Sequence, residues 1–341
     1  MPNDMKPIFD LIYGHWNSRI LEAGVTLGVF DEFVDGSAKS ADALATTIGA
    51  NATMLYRLLR AMANLGLLVE ADFNAFTLSP LGGLFQASHP SGMRSLALLE
   101  GNRTHRAGWN HLVEMIRAGR QDGAQVEFGV TLWEMMRRDP QYGRIFQDAM
   151  STFSKGEVGD VVEALRLGDV DLSAVRTFCD IAGGLGTLLT ALLSRYPDTL
   201  GTCVDLAEIA EQGKKVREPN VANRLSFVAG DIFVSVPEAD CYLLKNILHD
   251  WDDRECIAIL SNARKRATGP RLLLICEIVI TPPGMPHYSK LLDINMLCVA
   301  NGRQRRAHEF QGLLAASGWE LQSVVTAPGH LTSVVAARAV P

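Results

Sequence analysis

Phe178-Cys179-Asp180-Ile181-Ala182-Gly183-Gly184-Leu185-Gly186 is the stretch that decides how the rest of the chain reads. An apolar run with strand character leads into it. Thr187-Leu188-Leu189-Thr190-Ala191-Leu192-Leu193 follows, with the pattern of a helix that buries one face. Strand, glycine turn and helix together make a nucleotide-binding loop, because glycine lets the backbone turn sharply and a ligand approach without meeting a Cβ. A dinucleotide site wants a third glycine three residues after the second. Counted from Gly184 and Gly186, that position is Leu189, so the pattern fits NAD poorly. An acid at a strand end followed by a short glycine cluster suits a ligand without phosphate. S-adenosylmethionine (SAM), a nucleoside joined to a charged amino acid, is such a ligand.

Downstream of this loop, strands and helices alternate. Strands are expected at 175–181, 200–205, 224–229, 241–245 and 271–280, and helices at 255–266 and 309–317. Two last strands, 320–326 and 331–338, flank Ala327-Pro328-Gly329-His330. Alternation of this kind implies an α/β fold with a doubly wound, mostly parallel sheet, here of seven strands, the terminal hairpin adding one antiparallel strand. Upstream, Ser40 and Asn51 read as caps of two helices, Gly66 ends the second, and 67–70 with 75–78 reads as a hairpin. Two helices and a hairpin form a winged-helix pattern. The expected division is a winged-helix-like unit over 1–100 and a second domain over 101–341, with an all-helical stretch to about 168 and the sheet from 172.

Composition limits the function classes. The chain has 341 residues, is 48% hydrophobic and 21% charged, and carries a formal charge of −6. The acidic balance speaks against nucleic acid as a partner, which needs clustered Lys and Arg. The candidate recognition helix offers only Arg57 and Arg60 among Met54, Leu55, Tyr56, Leu58, Leu59 and Met62. A winged-helix regulator with a ligand-sensing domain is therefore the lesser alternative. Met1-Pro2-Asn3-Asp4-Met5-Lys6 has no signal-peptide pattern, and the apolar run Leu272–Cys276 is too short for a membrane span, so a cytoplasmic protein is expected. The six cysteines stand singly, consistent with reduced buried thiols.

Ligands of such sheets bind at the carboxyl ends of the strands. The candidates there are Asp180, Asp205, Asp231 and the run from Lys245 to His249. Asp205 falls where an acid accepts ribose hydroxyls, and Gly230-Asp231-Ile232 could set a carboxylate on the adenine amino group with Ile232 against the ring. Any single strand-end aspartate could equally be a helix cap; three at successive strand ends beside a glycine loop point to a site. Glu277, in Ile275-Cys276-Glu277-Ile278, needs a reason to sit in so apolar a run. Asp252 with Glu255 reads as a capping pair. Between 91 and 168, Met and aromatic residues, Trp133, Met150 and Phe153 among them, read either as helix core or, with Met296 further on, as the wall of a pocket for a flat apolar ligand.

Asp180–Gly186, Val204-Asp205-Leu206, Gly230-Asp231-Ile232-Phe233, Lys245-Asn246-Ile247-Leu248-His249-Asp250-Trp251, and Gly302-Arg303-Gln304-Arg305 to Glu309-Phe310 together resemble the class I SAM-dependent O-methyltransferases of the caffeate and hydroxyindole type. The similarity spans nearly the whole chain, and the His-Asp-Trp run is its most specific part. It implies a dimerisation role for the N-terminal unit, a homodimer, SAM as cofactor and a small aromatic or polyketide-like acceptor. It implies that Asp180, Gly183, Gly184, Asp205, Leu206, Gly230, Asp231, Ile232 and Lys245 hold SAM. His249 would be the general base, with Asp250 and Glu277 completing the catalytic set and Glu277 orienting the imidazole. Two departures stand out: Ala182 where the family usually has glycine, and Gln304 where a second acid usually flanks the histidine. They leave carbon methylation, or a SAM-binding enzyme that transfers no methyl, as the alternative. His287 and His308 stand at no ligand spacing, so no metal is expected.

Overall fold

The computed structural model describes residues 5–121 and 123–340. The expected absence of a leader pattern rests partly on Met1–Asp4, which lie outside the described residues. The chain forms two compact units, Met1–Ala107 with Trp133–Thr152, and Gly108–Leu132 with Phe153–Pro341. The helical stretch expected to belong wholly to the second domain is thus divided, and Trp133–Thr152 packs with the first unit.

In the first unit, Ser40 Oγ accepts from the Ala43 N–H and Asn51 Oδ1 from the Met54 N–H, so helices Ala41–Ile48 and Ala52–Asn64 start at their expected caps. Helix Ala52–Asn64 buries Leu55, Leu59 and Met62, one stripe at helical spacing, against Val29, Phe30, Phe33, Leu44 and Phe76. Strands β1 (Leu68–Asp72) and β2 (Ala75–Leu78) pair antiparallel as the wing. Arg57 and Arg60 are exposed, and the Arg60 guanidinium lies 5.1 Å over the Tyr56 ring. The first helix, Lys6–Thr26, exposes Ile8, Leu11, Ile12 and Trp16, with Leu11 86% exposed.

The second unit is built on a seven-stranded sheet. In chain order its strands are β3 (Thr177–Ile181), β4 (Leu200–Asp205), β5 (Leu225–Ala229), β6 (Ala239–Lys245), β7 (Ala267–Glu277), β8 (Trp319–Thr326) and β9 (Ser333–Ala339). Their spatial order is β5-β4-β3-β6-β7-β9-β8. Only β9 pairs antiparallel, to β7 and to β8. Alternate residues of one strand enter opposite cores, as the pleat requires. Cys241 and Leu243 join the core formed with helix Thr187–Arg195, whereas Tyr242 and Leu244 join the one formed with helix Asp253–Arg266. Each fully buried leucine of this kind contributes roughly 1.5–3 kcal/mol relative to exposure. All six cysteines are free and buried. Helices Ala207–Val216 and Ser289–Val299 add to the elements expected from sequence. No helix among the described residues is long and apolar enough to cross a membrane.

The strand order reverses at β3: β4 and β5 lie on one side, β6 and β7 on the other. The loop after β3 therefore opens at the switch point, where doubly wound sheets hold ligands.

Candidate active site

The loop after β3 is made by backbone conformation. Ala182 sits at φ 53, Gly184 at φ 60 and Gly186 at φ 74, all left-handed. Alanine in that region costs roughly 1–2 kcal/mol, which is the physical reason a glycine suits position 182. The Ala182 N–H still donates to Val204 O at 2.8 Å, so the turn is tied to β4. A Cβ on Gly183 would stand 2.4 Å from Asp180 Cγ, so only glycine leaves that carboxyl its place. Asp180 is buried, and its Oδ1 has no hydrogen-bond partner among the described residues. Burial raises its pKa to about 7, offset by the Lys245 ammonium and reinforced by Asp205. A buried acceptor without a donor is costly, and it suits a ligand that carries an N–H or a positive charge.

Asp205, at the end of β4, accepts from the Gly184 N–H through Oδ2 at 2.8 Å and from the Leu206 N–H through Oδ1 at 2.7 Å. Its carboxylate is thereby fixed, and each oxygen retains a lone pair for a ribose hydroxyl. Leu206 is exposed beside it. After β5, the Gly230 N–H donates to Asp205 O, and a Cβ on Gly230 would meet Val204 Cγ2 at 2.7 Å. Asp231 is exposed, and its Oδ1 accepts from the Phe233 N–H, closing a turn. Ile232 packs on the core behind, and the Phe233 ring stands edge-on to Trp251 at 4.9 Å. The Lys245 ammonium, expected to help hold SAM, lies 3.2 Å from Glu157 Oε2, which also accepts from Asn246 Nδ2 at 2.7 Å. Thr332 Oγ1 donates to the other Glu157 oxygen. A buried ion pair, rather than a free cation, ends β6. Glu157 was not legible in sequence, because its partners lie 88 and 175 residues away.

Beyond Lys245 the chain turns through Asn246 at φ 54 into a short 3-10 turn, Leu248–Asp250, that carries His249. The turn is gripped from several sides. The His249 N–H donates to Glu277 Oε1 at 3.2 Å. Arg305, fully buried, donates to Leu248 O at 2.6 Å and to Trp251 O at 2.8 Å, and pairs with Asp253. A Cβ on Gly302 would fall 1.7 Å from His249 O. Asp252 and Glu255 form the capping box of the helix that follows.

The side chains around the imidazole differ from expectation in one respect. Glu277 holds the backbone of His249 and does not reach its ring. The neighbour of His249 Nδ1 is the Gln304 amide, at 2.9 Å, and Asp250 Oδ1 lies 3.7 Å from Nε2. Burial, with the Lys245 and Arg305 cations adding to it, lowers the His249 pKa to about 3, so the ring is neutral at working pH. Burial lifts Glu277 to about 7 against the pull of Arg305, and lifts Asp250 well above the usual carboxylate range, with Glu277 adding to the rise. Arg305 was visible in sequence only as part of the Gly302–Arg305 motif, since it lies 57 residues from Leu248.

The expected pocket residues fall in different units. Trp133 and Met150 belong to the first, where Trp133 stands edge-on to Phe146 at 6.3 Å and Met150 is exposed. Phe153 and Met296 belong to the second, where Met296 is buried with Met115, Cys298 and Val299. Among the described residues, no group of His, Cys, Asp and Glu could hold a metal ion.

A mostly parallel sheet in this order, with a glycine loop at its switch point and acids at successive strand ends, defines a SAM-dependent methyltransferase. Residues 109–320 match the O-methyltransferase domain and residues 9–88 the O-methyltransferase dimerisation domain. The chain belongs to that O-methyltransferase family. It is 34% identical to the phenazine O-methyltransferase PhzM of Lysobacter antibioticus over 97% of this chain and 95% of that protein. It is 30% identical to the mitomycin biosynthesis 6-O-methyltransferase of Streptomyces lavendulae over 93% and 89%. The structure of human N-acetylserotonin methyltransferase in complex with SAM superposes with TM-score 0.88 at 25% identity, over 100% of this chain and 99% of that one. The enzyme uses SAM. The residues present fit it: the buried Asp180 oxygen without a partner suits a positively charged ligand, and a Cβ at Gly184 would meet nothing within 4 Å, so the turn is open there.

Proposed function

We propose that this enzyme methylates a hydroxyl of a small aromatic or polyketide-like secondary metabolite, with His249 accepting the hydroxyl proton. When bound, SAM supplies a methyl group on a sulfonium, which is a good leaving group. Asp180, Gly183 and Gly184 would bind its amino-acid end, Asp205 and Leu206 its ribose, and Gly230, Asp231 and Ile232 its adenine. Lys245 would act on that site through its charge and its pair with Glu157. Glu277, Arg305 and Gly302 hold the turn so that the imidazole stays on the edge of the sheet that carries the glycine loop. The observation that carries this reading is a neutral imidazole at the end of β6 whose backbone is fixed by Glu277.

For Nε2 to accept a proton, Nδ1 must carry one. Gln304 Oε1 is buried without a partner when its amide nitrogen faces the ring. Turning the amide over gives that oxygen the Nδ1–H and leaves Nε2 as the acceptor. Base assistance is worth about 10²–10⁴ in rate. His249→Ala should lower turnover on a hydroxyl acceptor by that factor with SAM affinity intact; wild-type turnover would remove the base assignment. The neutral Gln304 also favours a second reading, methylation at carbon. Mass spectrometry of product made with isotope-labelled SAM separates an O-methyl from a C-methyl fragment.

We further propose a homodimer formed through the N-terminal unit, supported by the dimerisation-domain match and the exposed Leu11 and Trp16. Sedimentation equilibrium showing only monomer would refute it.

A further inference from the structure

We infer that this site takes acceptors whose hydroxyl is already acidic, such as an enol, a hydroxyquinone or a phenol bearing an electron-withdrawing group, because a neutral amide backs the imidazole. The inference rests on the reading of His249 as the group facing the acceptor oxygen and narrows the acceptors that reading allows.

The argument is one of charge placement. A histidine that takes a proton from an ordinary phenol becomes an imidazolium, and a carboxylate on its far nitrogen would stabilise that cation. Here the far nitrogen meets Gln304, which is 2% exposed and cannot ionise. The two nearby carboxyls do not replace it. Glu277 holds the His249 backbone N–H through Oε1 and makes no hydrogen bond to the ring, its Oε2 being buried without a partner, and Asp250 stands 3.7 Å from Nε2, beyond hydrogen-bond reach. Asp293, on helix Ser289–Val299, accepts from the Gln304 backbone N–H. Asp253 is paired with Arg305 and Arg303. The cations facing this region, Lys245 from the end of β6 and Arg305 from the segment before helix Ala307–Ala316, both disfavour an imidazolium. An ordinary phenol ionises near about 10, so a weakly basic imidazole draws its proton poorly. An acceptor with an acidic hydroxyl gives its proton even to a weakly basic imidazole. Its oxygen gives that proton to His249 and bonds the methyl carbon while the carbon–sulfur bond breaks and the bonding pair stays on sulfur.

The test has an arm without catalysis and an arm with it. In the full-length protein labelled with ¹⁵N-histidine, with the His249 signal assigned by its loss in His249→Asn, the imidazole should stay neutral down to about pH 5, more than one unit below an ordinary histidine. In Gln304→Glu it should titrate at least about tenfold more readily, that is, one pH unit higher. A wild-type ring that titrates near 6.5 overturns the inference whether or not any acceptor is turned over. In the second arm, methyl transfer from labelled SAM is compared on 2-hydroxy-1,4-naphthoquinone and 2-naphthol, similar ring systems of very different acidity. The acidic hydroxyl should react at least on the order of 10²-fold faster in kcat/KM. Gln304→Glu should raise the rate on naphthol and narrow that gap. Equal or faster methylation of naphthol by the wild type overturns the inference. If neither compound is methylated, the titration decides. Failure of SAM to bind in calorimetry would instead count against the proposed function.

Discussion

Gly302→Ala isolates the contribution of the histidine turn. A Cβ at this position would lie 1.7 Å from His249 O and 2.5 Å from Asp250 C. A carbon rests against a carbonyl oxygen at roughly 3.3 Å. The turn, or the segment carrying Gln304 and Arg305, must therefore move by about 1.5 Å. Both atoms that block the Cβ are backbone, so no rotamer change relieves the clash. Misplacing a reacting group by about 1 Å costs on the order of 10² in rate, or about 3 kcal/mol of barrier. Strain of this kind removes a further ~1–3 kcal/mol of folding stability. The SAM contacts proposed on β3, β4 and β5 are not involved, so calorimetry should find SAM affinity nearly unchanged while kcat falls about 100-fold. Gly312→Ala is the control. Gly312 lies in helix Ala307–Ala316, and a Cβ there would have nothing within 4 Å, so alanine should stabilise the helix by about 0.5–1 kcal/mol and leave kcat alone. A Gly302→Ala enzyme with wild-type kcat would show that the backbone position of His249 does not set the rate.

Two further expectations concern the glycine loop. Ala182→Gly removes the left-handed strain at φ 53 and should raise stability by up to about 1 kcal/mol, the relief being partly offset by the freer unfolded chain; a loss of stability in thermal unfolding would mean that the Ala182 methyl packs favourably. Asp180 supplies a pH signature. Its folded pKa is raised to about 7, so the ligand-free protein holds a proton that the unfolded chain releases near 3.8. Its contribution to stability is therefore present at low pH and lost as pH rises toward 7. A cationic ligand favours the carboxylate, so SAM binding expels that proton, and affinity should climb roughly tenfold per pH unit up to about 7 and then level off. Asp180→Asn should flatten the slope, and a pH-independent Kd in the wild type would refute the contact.

Much of the fold could be read directly because its causes are local. The Ser40 and Asn51 caps, the Asp252/Glu255 box and the β-branched and aliphatic runs of β3, β6 and β7 each act within a few residues. The candidate site was legible only in part. Residues at strand ends, Asp180, Asp205 and Lys245, could be named because a parallel sheet gathers its carboxyl ends at one edge. Their partners could not. Glu157 reaches Lys245 across 88 residues, and only the family resemblance set Gln304 beside His249, 55 residues away. The helix Ala207–Val216 escaped notice because its run from Glu208 to Lys215 holds one large apolar residue, Ile209, and Ser289–Val299 because it is apolar on most faces.

By itself the sequence determined the alternating strand–helix order, the glycine turn after β3 and the acids that follow three strands, since propensity, capping and pleat are properties of neighbouring residues. Tertiary structure alone decided that Glu277 grips the backbone of His249 and not its ring, and that Arg305 is buried beneath the turn. Those outcomes depend on which distant side chains share a buried volume, where an unpaired charge or polar group is costly enough to choose its partner.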